Sequence, residues 1–313
     1  MLDACILWLF CFSGLSNRDI ISIGVGVLLE LKRRHDEQSD VTVRWFPRTV
    51  TEGKMKIGIF DSGIGGISVL HEAMKRIPEA EYLFYADTDH VPYGLKTKEQ
   101  ILGYSEDIVR FLIDKGVEAV VIACNTATAV AAEKMRHEFD IPIIGMEPAV
   151  KPAVKRNHDD KRILVMATPV TIRENKLHKL LSEVDKEHSV DLLEMPGLVK
   201  FAEAGIFDGD EVREYLKERY EGLKLDTYSA LVLGCTHFNY FLPLYREFFP
   251  EDTAIIDGNA GTVRQLANVV GAEISDADEI TNSKVTYFMS GRPADEKMLG
   301  FIEKLHTRLS RIQ

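Results

Sequence analysis

Apolar residues from Met55 onward fall into short runs rich in β-branched side chains, and longer amphipathic segments separate these runs. Short apolar runs between turn signals predict buried strands, whereas the longer segments predict helices. Regular alternation of the two is typical of a parallel, doubly wound α/β sheet. The predicted strands are Lys56–Asp61, Glu81–Ala86, Val120–Ala123, Ile141–Gly145, Arg162–Ala167, Val190–Met195, Ala230–Gly234 and Ala254–Gly258. The predicted helices are Ile67–Arg76, Lys98–Lys115, Ala127–Phe139, Leu198–Ala204, Val212–Leu223 and Ala260–Val270.

The pattern repeats within the chain. The strand at Ile57 has a counterpart 106 residues later at Ile163, and two cysteine-bearing strand ends lie 111 residues apart. These offsets indicate an internal duplication. We predict two similar doubly wound parallel-sheet domains that face each other across a cleft with pseudo-twofold symmetry. The first would comprise residues 55–147 and 258–313, because we expect the C-terminal tail to return to it, and the second residues 148–257, with a crossing at Glu147–Pro148.

Residues 1–54 differ from the rest of the chain. Their first apolar run, Ala4–Phe12, is too short to span a membrane and has no basic residue before it, so it is a poor signal peptide. The codons of Glu52–Gly53 would be purine-rich just upstream of Met55, which resembles a bacterial ribosome-binding site. We interpret this segment as an extension that is either not native or disordered. Mass spectrometry of the natural N-terminus would decide between these interpretations.

Composition narrows the class of protein. The net charge of −11 argues against a nucleic-acid backbone as the main partner, although it does not exclude a small anionic substrate. Four cysteines in 313 residues, none of them in a C-x-x-C pair, predict neither a disulfide framework nor a zinc ribbon. A reducing, cytoplasmic compartment fits this usage of cysteine.

Two of those cysteines, Cys124 and Cys235, each follow an apolar strand and precede small polar residues. In open parallel sheets, ligands bind beyond the carboxyl ends of the strands. We therefore predict one site that two thiols approach from opposite sides, as a pair of acid–base groups. A single cysteine in such a place is more often a small buried hydrophobe, so the prediction depends on the pair.

A carboxylate and a glycine-rich turn occupy a third strand end. Asp61 ends the first predicted strand, and the turn Ser62–Gly66 leads into the next helix. Glycines allow a close approach to a ligand, and the amides at the start of a helix can hold a carboxylate. The turn is not a dinucleotide fingerprint, because Ser68 stands where the third glycine would be.

Four motifs in order resemble the glutamate racemases, a branch of the cofactor-independent aspartate/glutamate racemase family. They are Ile59–Gly63, Asp87–Thr88 with Pro92–Gly94, Ala123–Ala127 and Leu233–Phe238. The resemblance extends from Met55 to about Val270 and implies two similar α/β domains with the active site between them. It further implies interconversion of L- and D-glutamate, which supplies D-glutamate for peptidoglycan, without a cofactor or a metal.

The resemblance also implies roles for individual residues. Cys124 and Cys235 would be the catalytic thiols, with Asp61 assisting Cys124, and His237 and Glu203 assisting Cys235. The residues implied to bind substrate are Asp61, Ser62, Tyr93, Gly94, Asn125, Thr126, Thr168, Thr171, Thr236 and His237. The chain departs from the family pattern at Asn239, where proline is usual, and matches it only loosely around Glu203.

Racemisation removes a proton from one face of Cα and returns one to the other, so two groups on opposite faces are the natural solution. One must be a thiolate while the other is a thiol. Simpler interpretations also exist: Asp61 could cap a helix, His237 and Tyr93 could be packed core residues, and Glu203 could lie on a solvated helix face.

Three other functions remain open. The chain could racemise aspartate or a hydantoin, bind an amino acid without turnover, or use Cys235 and His237 in metal-assisted hydrolysis. We expect glutamate as the small-molecule partner, with no nucleic-acid or membrane partner, and a homodimer is compatible with the sequence.

Overall fold

The computed structural model of the protein describes residues 54–146, 149–157, 161–277, 279–281 and 283–312. Residues 1–53 of the predicted extension and the predicted crossing at Glu147–Pro148 lie outside the described residues. The strands are β1 Lys56–Asp61, β2 Glu81–Ala86, β3 Ala119–Ile122, β4 Ile143–Gly145, β5 Arg162–Ala167, β6 Val190–Glu194, β7 Tyr228–Gly234, β8 Ala254–Ile256, β9 Lys284–Met289 and β10 Arg292–Pro293. The helices are α1 Ile67–Arg76, α2 Lys98–Asp114, α3 Asn125–Glu138, α4 Val150–Arg156, α5 Pro169–Arg173, α6 Asn175–Val184, α7 Pro196–Glu203, α8 Asp210–Tyr220, α9 Leu242–Phe248, α10 Asn259–Val270 and α11 Glu296–Ile312. Short 3-10 helices occupy Ile64–Gly66, Tyr93–Leu95, Leu225–Thr227 and Thr236–Phe241.

Two sheets organise these elements. One has six strands in the order β10-β9-β2-β1-β3-β4, and the other has four in the order β6-β5-β7-β8. All strand pairs are parallel except β10 with β9. The order β2-β1-β3-β4 in the first sheet is that of β6-β5-β7-β8 in the second, so the predicted duplication is confirmed at the level of topology. None of the helices in the described part of the chain has both the length and the apolar character needed to cross a membrane.

The hydrophobic pattern located most elements closely. The bounds of β1, β2, β5 and α1 are those predicted. Helix α3 begins two residues earlier than expected, at Asn125, because the sulfur of Cys124 accepts a hydrogen bond from the amide of Ala127 and caps the helix. The tail returns to the first sheet as expected, since β9 pairs in parallel with β2.

The polar residues at the carboxyl ends of the strands lie at one edge of each sheet. Residues at the centres of β1, β3, β5 and β7 are almost completely buried apolar side chains, which fix the strands in the core. Because paired parallel strands end at the same edge of a sheet, Asp61 at the end of β1 and Cys124 after β3 share one edge. Thr168 after β5 and Cys235 after β7 share the corresponding edge of the second sheet.

Helix α11 packs against α1, and their contact contains a pair of histidines, the buried His71 and the partly buried His306. The Nδ1 atoms of His71 and His306 lie 3.0 Å apart, and the hydroxyl of Tyr287 lies 3.3 Å from Nε2 of His306. Burial lowers the pKa of both histidines to about 4, and the positive charges of His306 and Lys75 add to the effect at His71. The α1–α11 contact therefore requires neutral imidazoles.

We predict that this contact makes the protein acid-sensitive. The unfolded chain binds protons at these histidines near pH 6.5, but the folded chain binds them only near pH 4. Stability should therefore be present above pH 6.5 and fall as the pH drops towards 4, because protons favour the unfolded state there. Urea unfolding between these pH values should show a shallower loss in His306→Gln than in the parent chain. The same dependence of the free energy of unfolding on pH in both proteins would contradict the assignment of this acid sensitivity to the histidine pair.

Candidate functional site

Cys124 lies at the junction of β3 and α3 and is 6% exposed. Its thiol lies 3.7 Å from the hydroxyl oxygen of Ser62, to which it donates a hydrogen bond. Burial raises the pKa of Cys124, and the negative charges of Asp61 and Cys235 raise it further. Both cysteines are free thiols.

Asp61 is fully buried and connects the two halves of the site. One carboxylate oxygen accepts hydrogen bonds from the amide of Ser62 at 2.5 Å and from its hydroxyl at 3.1 Å. The other accepts a hydrogen bond from the hydroxyl of Thr236 at 2.6 Å, across 175 residues of chain. Burial raises the pKa of Asp61, against the lowering effect of His237 and of these hydrogen bonds. The Ser62 hydroxyl thus connects Asp61 to Cys124 by hydrogen bonds.

Cys235, 7% exposed, has its own proton-handling partners. Nδ1 of His237 lies 3.7 Å from its sulfur, and Nε2 of His237 lies 2.7 Å from a carboxylate oxygen of Glu203. Burial lowers the pKa of His237, but hydrogen bonds to Cys235 and Glu203 outweigh it and raise that pKa well above its ordinary value. His237 therefore lies between the sulfur of Cys235 and the carboxylate of Glu203, where it can exchange a proton with the thiol.

The glycine-rich turn allows the two halves to approach each other. A Cβ atom at Gly65 would collide with the His237 ring and the Thr236 hydroxyl, and one at Gly63 would collide with the carboxylate of Glu203. The amide of Ile64 in this turn donates a hydrogen bond of 2.9 Å to Glu203. These glycines were predicted to allow a close approach to a ligand. In the structure they make room for side chains from the second half of the chain.

Three hydroxyl groups form a closed ring between the two sheets. Thr126 in the first turn of α3 lies 2.9 Å from Thr168 and 3.2 Å from Thr171, and the last two are 3.0 Å apart. All three side chains are buried. These are the hydroxyls that the family resemblance connects with substrate binding, and each lies within hydrogen-bond distance of the other two.

The remaining predicted residues line the same region. The hydroxyl of Tyr93 donates a 2.6 Å hydrogen bond to Asp87, and Gly94 lies so close to Thr168 that a Cβ atom would clash with it. The side-chain oxygen of Asn125 is buried without a hydrogen-bond partner among the described residues. A buried, unpaired amide oxygen is costly, so its presence points to a ligand that completes it.

The structure thus brings every predicted site residue into one connected region, including Glu203, around which the sequence matches the family pattern only loosely. Asp87 belongs to one of the family motifs but was not among the predicted site residues. It directly follows β2, just as Asp61 ends β1, and this strand-end position could have identified it. Asn239, the departure from the family pattern, donates a hydrogen bond of 3.1 Å to the carbonyl of Thr236 and so stabilises the turn after Cys235. In the described part of the chain, no group of three or more histidine, cysteine or acidic side chains is arranged to hold a metal ion.

The sequence profile of the Asp/Glu/hydantoin racemase family matches residues 67–266. With two free thiols at the ends of duplicated strands, the chain belongs to this family of cofactor-independent racemases.

Similar proteins narrow the comparison to one branch of the family. The chain is 47% identical over 263 residues to a glutamate racemase of Lachnospira eligens, covering 83% of this chain and 99% of that protein. It is 55% identical over 217 residues to a glutamate racemase of Campylobacter curvus, covering 68% and 82%. The solved structure of Escherichia coli glutamate racemase with L-glutamate and the activator UDP-MurNAc-Ala matches with a TM-score of 0.69 and 28% identity, covering 80% of this chain and 95% of that one.

The glycine turn gives a test of the contact between the two halves. We expect Gly65→Ala to lower the free energy of unfolding by about 1–3 kcal/mol, because the added methyl overpacks the contact with His237 and Thr236. The control Gly261→Ala has open space around its Cβ and lies inside α10, so it should raise stability by up to about 1 kcal/mol. Urea unfolding measures both changes. Equal stability of the two variants would show that Gly65 is not in this contact.

Proposed function

We propose that this protein interconverts L- and D-glutamate by proton transfer at Cα between two thiols, without a cofactor. The single observation that carries the mechanism is that each thiol has a separate set of proton-handling neighbours. Cys124 has Ser62 and Asp61 on one side, and Cys235 has His237 and Glu203 on the other. Family membership and the glutamate racemases among its relatives support the choice of substrate.

The two thiols differ in the free protein, as a two-base reaction requires. Burial and nearby negative charge keep the proton on Cys124, whereas Cys235 lies beside His237, whose pKa is raised well above its ordinary value by its hydrogen bonds to Cys235 and Glu203. In one direction the Cys235 thiolate takes the α-proton and the Cys124 thiol protonates the opposite face. In the other direction the Cys124 proton must leave first, and the path through the Ser62 hydroxyl leads to Asp61, whose pKa is raised by burial.

Besides two acid–base groups, racemisation needs a site that excludes water, and the burial of the thiols contributes to it. The α-proton of an amino acid is very weakly acidic, so developing carbanion character must be stabilised by placed donors in a site that excludes water. Both thiols are less than a tenth exposed. The unpaired side-chain oxygen of Asn125 and the hydroxyls of Thr126, Thr168, Thr171 and Thr236 are the polar groups proposed to bind the substrate.

The wider role follows from the reaction. D-Glutamate made in this way would supply peptidoglycan synthesis in the cytoplasm. We assign the first domain to residues 55–147 and 258–313 and the second to residues 148–257, with one thiol in each. A homodimer stays a prediction that size-exclusion chromatography with light scattering would check.

The decisive experiment is circular dichroism of L-glutamate incubated with the purified chain and no added cofactor. Loss of the signal to zero, with D-glutamate converging on the same end point, supports the proposal. Parallel incubations with aspartate and a substituted hydantoin identify a different substrate within the family. Binding of glutamate without any change in signal would identify a non-catalytic binding protein.

We predict that Cys124→Ser and Cys235→Ser each lower the rate of racemisation by about 10²- to 10⁴-fold, because a serine hydroxyl is a far weaker acid–base group than a thiol. Each variant should still exchange the α-proton of one enantiomer with deuterated solvent, since one thiol remains. Proton NMR in deuterium oxide measures this exchange for L- and D-glutamate separately. Racemisation by either variant at the rate of the parent protein would contradict the two-thiol mechanism.

We predict that Glu203→Gln lowers kcat by about tenfold, equivalent to about 1.4 kcal/mol. The glutamine lacks the charge that raises the pKa of His237, so the imidazolium should be lost at a lower pH. The basic limb of the pH–rate profile should move towards neutrality accordingly. The control Glu218→Gln, on the exposed side of α8, should leave the profile unchanged. An unshifted limb in Glu203→Gln would contradict the role of this carboxylate.

A further inference from the structure

We propose that Arg308, on the C-terminal helix α11, is a positioning residue that holds the Glu203–His237 pair together. The proposal rests on the proposed function, because it assigns a role to that pair in racemisation. Arg308 does not touch the thiols; it acts through the two chain segments that follow Glu203 and His237.

The guanidinium of Arg308 binds both segments at once. Its Nε donates a hydrogen bond of 2.9 Å to the carbonyl of Tyr240. Its two terminal nitrogens contact the carbonyl of Phe207 at 3.5 Å and a carboxylate oxygen of Asp208 at 3.3 Å. The guanidinium also lies over the ring of Phe207, 4.9 Å from its centroid.

Each segment carries one member of the pair. Tyr240 lies three residues after His237 within the 3-10 helix Thr236–Phe241, and Phe207 lies four residues after Glu203. The two segments also pack against each other, since the Phe207 ring lies 5.3 Å from that of Tyr240. The contacts thus form a closed loop. On one side, the 2.7 Å hydrogen bond joins His237 to Glu203, and on the other side Arg308 joins the two segments that follow these residues.

A further hydrogen bond connects this loop of contacts to the glycine-rich turn. The hydroxyl of Tyr240 donates to the carbonyl of Ile64 at 2.9 Å, while the amide of Ile64 donates to Glu203. Displacement of Tyr240 would consequently disturb both partners of Glu203. A charged hydrogen bond as short as that between His237 and Glu203 depends steeply on geometry, so a small shift of either segment weakens it.

Arginine suits this position for a physical reason. Its planar fork presents several donors in fixed directions, whereas lysine is a flexible point charge. Arg308 is only partly exposed, and lysine could satisfy at most part of the set formed by two carbonyls and a carboxylate. Arg308→Lys thus keeps the charge on α11 and removes the geometry, which makes it a sharper test than a truncation.

The experiment compares Arg308→Lys and Arg308→Ala with Arg246→Lys as the matched control. Arg246 also donates to backbone carbonyls, those of Glu251 and Thr253, but in a loop away from the pair. We expect Arg308→Lys to lower kcat by about tenfold with KM changed less than about twofold, because chemistry rather than binding is disturbed. The control should retain the parent kcat.

A double-mutant cycle separates positioning from general stability. If Arg308 acts through Glu203, Arg308→Lys should change kcat by less than about twofold in a Glu203→Gln background. NMR titration of His237 gives a readout that does not depend on turnover. In Arg308→Lys the pKa of His237 should fall towards its ordinary value, whereas in Arg246→Lys it should not.

Two results would overturn the proposal: independent, multiplicative effects in the cycle, or a His237 titration that Arg308→Lys leaves unchanged. Thermal unfolding shows whether each variant is folded. If Arg308→Ala does not fold, the test is carried by Arg308→Lys alone. A parent protein that does not racemise glutamate would defeat the proposed function. The His237 titration would still decide the positioning role of Arg308.

Discussion

The hydrogen bond from Thr236 to Asp61 joins the two halves of the chain at the point where their strands end. Asp61 directs its other oxygen to Ser62 and so to Cys124, while Thr236 is the immediate neighbour of Cys235. A fully buried carboxyl group is stable only with partners, and two of the three hydrogen bonds that Asp61 accepts are donated by the neighbouring Ser62. The third holds the duplicated halves in register around the two thiols.

Duplication supplies equivalent frameworks, and local substitutions make the two thiols different. The two strand ends correspond in topology, yet one thiol has a buried carboxyl group behind a serine and the other has an imidazole with a carboxylate. Burial and negative charge raise the pKa of the first thiol, whereas the second lies beside an imidazole whose own pKa is raised by its hydrogen bonds. A symmetrical fold therefore holds two thiols with different proton-exchanging neighbours.

Much of the fold could be read from the hydrophobic pattern because the strands β1, β2, β3, β5 and β7 are buried on both faces and bounded by clear turns. The strand β9 was harder, since its burial alternates with exposure and nothing local signals its pairing with β2 across two hundred residues of chain. The site was readable because its polar residues follow apolar strands, which is where parallel sheets place ligands. What the pattern could not provide was contact between distant segments: the approach of Glu203 to the glycine turn and the connection of Arg308 to both segments depend on tertiary packing.

The ring of three threonine hydroxyls has a consequence for selectivity. Each hydroxyl is already satisfied by its neighbours, so a ligand that displaces them must bring acceptors or donors of its own. A hydrocarbon of the same shape would strand these groups without partners, at a cost of about 1–3 kcal/mol for each. Discrimination against apolar molecules is thus built into the mutual hydrogen bonding of these hydroxyls, before any charge on an incoming compound is sensed.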